Sequence, residues 1–175
     1  MTSRFFACGL ALAAVVALPG CQQEPSVTAH QTPIPAPDLC RSLDRALVRT
    51  AMQGKVTGCD VERGPDSHVV EFVGTATVGK LTVPAVLTVS YQRRLDLKTG
   101  VDLWQAEGAA KGSRVALIGV GDAAAFDPQH APQLVTLRRG VVVAVGLQLD
   151  GAAVPQDQLP DHLLGIARPA VQAIG

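Results

Sequence analysis

The stretch of sequence that decides the fold is residues 70–89, VEFVGTATVGKLTVPAVLTV. Apolar residues or glycine occupy every second position on both sides of Gly79-Lys80, which predicts two β-strands joined by a two-residue turn that begins with glycine. This turn sets opposite each other the core-facing pairs Val70–Val89, Phe72–Leu87, Gly74–Ala85, Ala76–Val83 and Val78–Leu81. A slip of one residue would bury the polar set instead, so the register is well specified. Pro84 falls on the outward face, and its missing N–H predicts a sheet edge or a bulge there.

The segment before this hairpin predicts a helix followed by a strand. Asp38 is a candidate N-cap, Gly54 is expected to end the helix, and residues 57–63 predict a first strand. The apolar stripe of the helix is formed by Leu39, Leu43, Leu47 and Ala51, with Ala46 beside it.

The segment after the hairpin predicts a further strand at residues 114–118 and a second hairpin. Residues 133–137 and 141–149 are expected to pair across a three-residue loop, Arg138-Arg139-Gly140, with Gly140 in the left-handed conformation. This loop sets Leu137 against Val141 and Val135 against Val143. Residues 93–112 have an irregular pattern, with a short helix expected at 101–110 around Trp104.

A closing amphipathic helix is predicted near the C-terminus, with an apolar stripe of Leu159, Leu163, Ile166, Ala167, Ala170 and Ile174. Pro169 lies inside it and is expected to kink the helix without breaking it, because the crowded residue is Gly165. An N-terminal helix, a C-terminal helix and about six antiparallel strands predict a single two-layer α+β domain over residues 38–175.

The first 37 residues indicate that the protein is exported and attached to the membrane. Residues 5–18 form an apolar run too short to span a bilayer, which is typical of a secretory signal. The run ends in Leu18-Pro19-Gly20-Cys21, which looks like a bacterial lipobox. Residues 1–20 are therefore the predicted signal peptide. Cys21 is the predicted lipidated residue, and palmitate is among the acyl chains expected on it. Residues 21–37 are polar and rich in proline, which predicts a flexible tether. The alternative is an ordinary secreted protein in which Cys21 is incidental.

Two cysteines remain in the predicted domain, Cys40 and Cys59. In an exported chain such a pair predicts a disulfide, and a redox-active or metal-binding pair is disfavoured because the C-x-x-C spacing is missing. Without the signal peptide, Lys+Arg fall from 15 to 14 against 15 Asp+Glu, a net charge of −1. This balance does not favour a nucleic-acid partner.

The motifs that suggest chemistry are weak. Residues 115–124, VALIGVGDAA, resemble a dinucleotide fingerprint, but Pro128 and Pro132 cut short the long helix that such a site needs. A tight turn with Asp122 capping one helical turn at residues 123–126 is the simpler interpretation. The histidines, His30, His68, His130 and His162, share no face at ligand spacing, and no nucleophile motif is present. No cofactor, metal or catalytic residue is therefore predicted.

Six residues are candidate contacts for a ligand or partner. Trp104 either lines a groove beside the sheet or simply covers the edge of the core. Arg93-Arg94 and Arg138-Arg139 are basic pairs near hairpin ends, which either meet anionic lipid or wall polymer or are solvated hairpin tips. Asp122 lies in the glycine-rich turn.

Taken together, these features resemble small actinobacterial cell-envelope lipoproteins built on a domain of unknown function. The resemblance covers roughly residues 39–174 and is carried by the lipobox, by the cysteine pair, by residues 119–124 (GVGDAA), by the Arg139-Gly140 hairpin and by Ala167-Arg168 in the closing helix. It implies an antiparallel α+β domain displayed outside the membrane. It implies no activity and no catalytic residues.

The sequence therefore favours a lipid-anchored protein on the extracytoplasmic face of the cell membrane that acts as a non-enzymatic binding or accessory module. Its expected partner is an envelope protein, a lipid or a wall polymer. Two alternatives stay open: an envelope enzyme with a site dispersed over loops, such as Asp122 with His130, and a purely structural envelope protein.

Overall fold

The computed structural model describes Ile34 and residues 36–97, 115–117, 119–128 and 132–174. Within this part of the chain, seven strands form one antiparallel sheet in the order β1-β2-β3-β7-β6-β5-β4. The strands are β1 (Gly54–Arg63), β2 (Ser67–Val78), β3 (Leu81–Arg93), β4 (Val115–Leu117), β5 (Ala123–Asp127), β6 (Gln133–Arg138) and β7 (Val141–Leu149). The helices are α1 (Leu39–Ser42), α2 (Arg45–Met52) and α3 (Leu159–Gln172). The predicted α+β architecture, with helices at both ends of the domain, is confirmed.

The register of the β2–β3 hairpin is the one predicted, and all five predicted pairs are present, but Leu81 beside the turn is 64% exposed and does not face the core. The ladder between β3 and β7 begins only at Ala85, and beyond it the N–H of Asp150 donates to the carbonyl of Pro84 at 3.0 Å. Because the N–H and C=O of one residue in an antiparallel strand point to the same neighbour, the nitrogen of Pro84 faces the end of β7 and not β2. Pro84 thus ends one ladder without interrupting the other, which is the edge position that its sequence predicts.

The predicted register of the second hairpin is wrong by one residue. The turn contains two residues, Arg139 and Gly140, with φ of 48° and 73°, and it sets Leu137 opposite Val142. Both positive φ values match a type I′ turn, whose twist suits a β-hairpin. The apolar pattern does not choose the register here, because both faces are buried: one against the helices, including Leu134, Val143 and Val145, and one in a second cluster that includes Leu97, Val135, Leu137 and Val142.

The predicted N-terminal helix is two helices, because the chain is extended at Leu43 (ψ 131°). Asp44 caps α2 by accepting a hydrogen bond from the N–H of Ala46 at 2.7 Å. The break resets the helical phase, so the predicted stripe fails at Ala46 and Leu47, although Ala51 is fully buried as predicted. Leu47 is 41% exposed and Val48 is fully buried in its place. Asp38, the predicted N-cap, makes no side-chain capping bond to α1.

The end of α2 also differs from the prediction. Gln53, with φ of 54°, is the left-handed C-cap, and Gly54 already belongs to β1, which starts three residues earlier than predicted. A side chain at Gly54 would overlap the backbone of Thr75 on β2. This position therefore requires glycine because two strands approach closely, and not because a helix ends there.

Residues 123–127 form a strand, β5, and the helical turn predicted at 123–126 is wrong. The segment pairs with β4 on one side and with β6 on the other, and Ala124, Ala125 and Phe126 are buried. Burial between two strands overrides the high intrinsic helix propensity of alanine. With β5 the sheet has seven strands, whereas the sequence predicted about six.

The core lies between the helices and one face of the sheet. The predicted stripe of α3 is confirmed, since Leu159, Leu163, Ile166 and Ala170 are fully buried, and the helix continues through Pro169 without a break. A disulfide between Cys40 and Cys59, with Cα atoms 5.8 Å apart, links α1 to β1 as predicted. None of the described helices has both the length and the apolar character needed to cross a membrane.

Candidate functional site

The sheet brings the two arginine pairs together, although 43 residues or more separate them in sequence. Arg93 at the end of β3 lies opposite Val141, and the backbone N–H of Arg94 donates to the carbonyl of Gly140 at 2.7 Å. The last residues of β3 therefore run beside the β6–β7 turn. We call the group of Arg93, Arg94, Arg138, Arg139 and Arg168 of α3 the arginine end of the domain.

His68 lies at this same end of the sheet. Arg63, at the end of β1, pairs with His68 near the start of β2, and His68 in turn pairs with Tyr91 near the end of β3. Burial and the charge of Arg63 lower the pKa of His68, while the charge of Asp38, the residue before α1, raises it. Ile34 and Ala36, which precede α1 in sequence, pack against the core.

Three of the five arginines have acidic partners. Arg93 Nε lies 3.4 Å from Asp66, Arg94 holds Asp96 with two hydrogen bonds of 3.0 and 3.1 Å, and Arg138 Nη1 lies 2.9 Å from Asp122 Oδ1. The side chains of Arg139 and Arg168 are exposed, and neither forms an ion pair within the described part of the chain. Within this group of five, these two arginines carry positive charge that no carboxylate in the described part of the chain pairs.

Asp122 fastens the glycine-rich turn to the β6–β7 turn. Its Oδ2 accepts a hydrogen bond from the backbone N–H of Arg139 at 2.9 Å, and its own N–H donates to the carbonyl of Leu137 at 2.7 Å. The N–H of Arg139, and then the guanidinium of Arg138, lower the pKa of Asp122. The carboxylate is therefore an acceptor already occupied by the protein, and it does not have the free, raised-pKa character of a general base.

Residues 119–121 form a loop with an unusual backbone. Gly119 and Gly121 have φ of 85° and 62°, whereas Val120 between them has negative φ. A side chain at Gly121 would overlap Thr136 Oγ1 and lie 2.5 Å from the carbonyl of Leu137. The hydroxyl of Thr136 also donates to the carbonyl of Val120 at 3.2 Å. The loop is thus held close against β6, which only glycine at position 121 allows.

A cavity of about 340 Å³ opens between this loop and the last turns of α3. It is lined by Gly119, Val120, Gly121, Arg138, Arg168, Val171 and Gln172. The three helix residues lie at positions i, i+3 and i+4, which share one helix face. Val120 and Val171 are buried and form an apolar floor, whereas Arg168 and Gln172 are exposed at the rim. A second cavity of about 360 Å³, near residues 147–156, has no charged lining residue in the described part of the chain.

The predicted site residues have different outcomes. The structure joins Arg93, Arg94, Arg138, Arg139 and Asp122 at one end of the sheet. Cys21, Trp104 and His130 lie outside the described residues. Gly119, Gly121, Arg168 and Gln172 were not predicted as site residues, although two signals pointed to them. One is the G-x-G pattern, and the other is an arginine and a glutamine one turn apart on the polar side of an amphipathic helix.

Comparison with known proteins gives no relative. The chain matches no family model, no curated protein and no solved structure at a significant level. The resemblance to actinobacterial envelope lipoproteins stays a prediction, and function has to be argued from the arginine end itself.

Proposed function

We propose that this protein is a lipid-anchored lipoprotein on the extracytoplasmic face of the cell membrane, and that its domain is a non-enzymatic binding module. Acyl chains on Cys21 hold it there, and the arginine end is its binding surface. The partner of this surface is the anionic headgroup layer of the membrane. The lipobox at residues 18–21 supports the anchor, and the α+β domain carries the surface.

The observation that carries the proposal is the gathering of arginines at one end of the sheet. Arg93 lies opposite Val141 of β7, and the N–H of Arg94 donates to the carbonyl of Gly140, so arginines distant in sequence present their charge together. The proposal places this end, and not the β2–β3 turn at the far end of the sheet, against the lipid surface. Positive charge near an anionic membrane contributes about 1 kcal/mol for each arginine or lysine. Of the five arginines of the arginine end, Arg139 and Arg168 have no ion pair within the described residues.

The arrangement around Asp122 supports binding over catalysis. Its two carboxylate oxygens accept hydrogen bonds from Arg138 and Arg139, so it has a structural task within the turn. An enzyme that used Asp122 would lose turnover on its replacement while the fold persisted. In a binding module, replacing Asp122 lowers the stability of the domain instead.

The experiment separates the surface from the anchor. The full chain with Cys21→Ser is mixed with vesicles of phosphatidylcholine, with or without phosphatidylglycerol, and bound protein is measured by flotation. Binding is expected only to the anionic vesicles and to weaken with salt, since screening shortens the range of surface charge. Arg139→Gln and Arg168→Gln should each weaken it about fivefold, from the roughly 1 kcal/mol per charge.

Arg49→Gln is the matched control, because Arg49 is also exposed but lies on α2, which ends near the opposite end of the sheet. It should bind as the parent chain does. Equal binding to neutral vesicles, or equal weakening by Arg49→Gln, would contradict a specific anionic surface. If the protein binds isolated wall polymer and not vesicles, its partner is the wall polymer and not the membrane. In cells, globomycin should cause the unprocessed precursor to accumulate; normal processing would contradict the anchor.

A further inference from the structure

We infer that the cavity between residues 119–121 and α3 binds the phosphate group of an organic phosphate ester. This inference deepens the proposed function by naming the chemistry that the arginine end recognises, and its geometry does not depend on the anchor. Either a phospholipid headgroup or a soluble ester could supply the group, since both present the same charged oxygens.

The backbone of the loop supplies the first set of donors. Across Gly119, Val120 and Gly121 the sign of φ alternates, positive, negative and positive. Such alternation turns successive N–H groups toward one side, and the resulting concave nest binds anions. The N–H groups of these three residues make no hydrogen bond to any acceptor in the described part of the chain. They are therefore available to a ligand, while the carbonyl of Val120 is occupied by Thr136.

Side chains supply the second set from two other directions. Arg138 projects from β6, and one of its nitrogens is engaged by Asp122 at 2.9 Å, which fixes the guanidinium beside the loop. Arg168 projects from α3 and has no ion pair within the described residues. Gln172 lies one helical turn further on and adds an amide donor. A guanidinium can offer two parallel N–H bonds to a phosphate or carboxylate.

The directions of these donors favour a phosphate ester over a carboxylate. A carboxylate is planar and has two oxygens, so one guanidinium can satisfy it. A phosphate ester presents its charged oxygens tetrahedrally and can be contacted from a loop, a strand and a helix at once. The cavity, at about 340 Å³, also has the size of a small-molecule site and exceeds what a single anion needs. Its apolar floor of Val120 and Val171 accommodates the carbon part of an ester.

The test is calorimetric titration of the full chain, in a neutral detergent, with glycerol 3-phosphate, glycerol and succinate. Glycerol 3-phosphate should bind, glycerol should not, and succinate should bind at least tenfold more weakly. Arg168→Gln should weaken the binding of glycerol 3-phosphate at least tenfold, because a charged hydrogen-bonding group is lost. Gln172→Glu places a negative charge at the rim and should abolish detectable binding. Both residues are exposed, so circular dichroism and thermal unfolding should match those of the parent chain.

Arg49→Gln again provides the control and should leave the affinity unchanged. The inference is overturned if glycerol 3-phosphate does not bind, if succinate binds as tightly, or if Arg168→Gln and Gln172→Glu bind like the control. A final arm uses short-chain phosphatidylglycerol below its micellar concentration. Tighter binding of this lipid than of glycerol 3-phosphate supports the site and assigns the headgroup as the source. The reverse order supports the site and assigns a soluble ester.

The two binding experiments test the cavity site and the membrane surface separately. Arg139 does not line the cavity, so Arg139→Gln should weaken vesicle binding about as much as Arg168→Gln does, but should lower the affinity for glycerol 3-phosphate much less than Arg168→Gln does. A chain that binds glycerol 3-phosphate but no vesicle keeps the cavity site and refutes the membrane surface. A chain that binds anionic vesicles but no glycerol 3-phosphate keeps the surface and refutes the cavity site.

Discussion

Replacing Asp122 by alanine should lower the free energy of unfolding by about 1–2 kcal/mol. The substitution removes two hydrogen bonds to a carboxylate, one from Arg138 Nη1 and one from the backbone N–H of Arg139, both at 2.9 Å. Such bonds contribute about 1.5–3 kcal/mol each when buried. Here the side chains of Asp122 and Arg138 are 43% and 35% exposed, so solvent screening reduces each to roughly 0.5–1 kcal/mol.

The matched control is Asp96→Ala, which also removes an aspartate held by an arginine. Asp96 bonds the side chain of Arg94, at 3.0 and 3.1 Å, and its own backbone N–H, whereas Asp122 holds the backbone of Arg139, a residue of the neighbouring turn, in the left-handed conformation. Urea unfolding followed by circular dichroism should show a much smaller change for Asp96→Ala. For Asp122→Ala the melting temperature should fall by about 3–6 °C. Equal effects of the two substitutions would refute the assigned role of Asp122.

The effect of Asp122→Ala should also depend on pH. The N–H of Arg139 and the charge of Arg138 lower the pKa of Asp122 from its ordinary value of 3.8. Because the folded pKa is the lower one, the carboxylate's contribution is fully present above the unfolded pKa and is lost as the pH falls through the folded pKa. The difference between wild type and variant should therefore shrink below about pH 4. A difference that persists unchanged at pH 2 would contradict this explanation.

Three further predictions concern the rest of the domain. Cys40→Ala with Cys59→Ala should cost about 3 kcal/mol in urea unfolding, because the bridge spans 19 residues, and an unchanged midpoint would contradict this. Tyr91→Phe should cost about 1 kcal/mol, since the buried hydroxyl donates to the carbonyl of Ala170 at 3.3 Å; equal stability would show that the bond contributes nothing. Burial lowers the pKa of His68, so the neutral form is favoured in the folded state, and wild-type stability should decline as the pH falls below 6.5. His68→Phe should lack this decline between pH 7 and 5.

The sequence predicted structure best where one face of an element is apolar and the other polar. In the β2–β3 hairpin, Phe72 and Leu87 face the core while Glu71 is exposed, so only one register buries the apolar set. The β6–β7 hairpin is apolar on both faces, and there the register is set by the positive φ of Arg139 and Gly140. Alternation of side chains contains no information about that choice.

Helical spacing misled the prediction at two places for a similar reason. The leucines at 39, 43 and 47 fit a single helix, but the chain extends at Leu43 and Asp44 begins a second helix. The alanines of residues 123–125 fit a helical turn, yet they pack between β4 and β6. In both cases the environment formed by distant segments decides the local conformation.

The arginine end was predictable only in parts. The sequence identified Arg93, Arg94, Arg138 and Arg139 as candidate contacts, but their proximity depends on β3 pairing with β7, which no local pattern reveals. The cavity likewise depends on residues that are distant in sequence, since Arg168 on α3 faces a loop more than 40 residues earlier in the chain. Residue types indicate which side chains can bind an anion, and the order of strands in the sheet decides which of them meet.

The orientation of the anchored domain on the membrane shows whether the arginine end faces the lipid. Fluorophores are attached to Pro65→Cys, in the exposed β1–β2 turn at the arginine end, or to Lys80→Cys, in the exposed β2–β3 turn. Strands of 12 and 13 residues separate the two turns by about 40 Å. With the lipidated full chain in vesicles that carry a headgroup quencher, the label at residue 65 should be quenched several times more strongly than the label at residue 80. Equal quenching, or stronger quenching at residue 80, would show that the arginine end does not face the membrane.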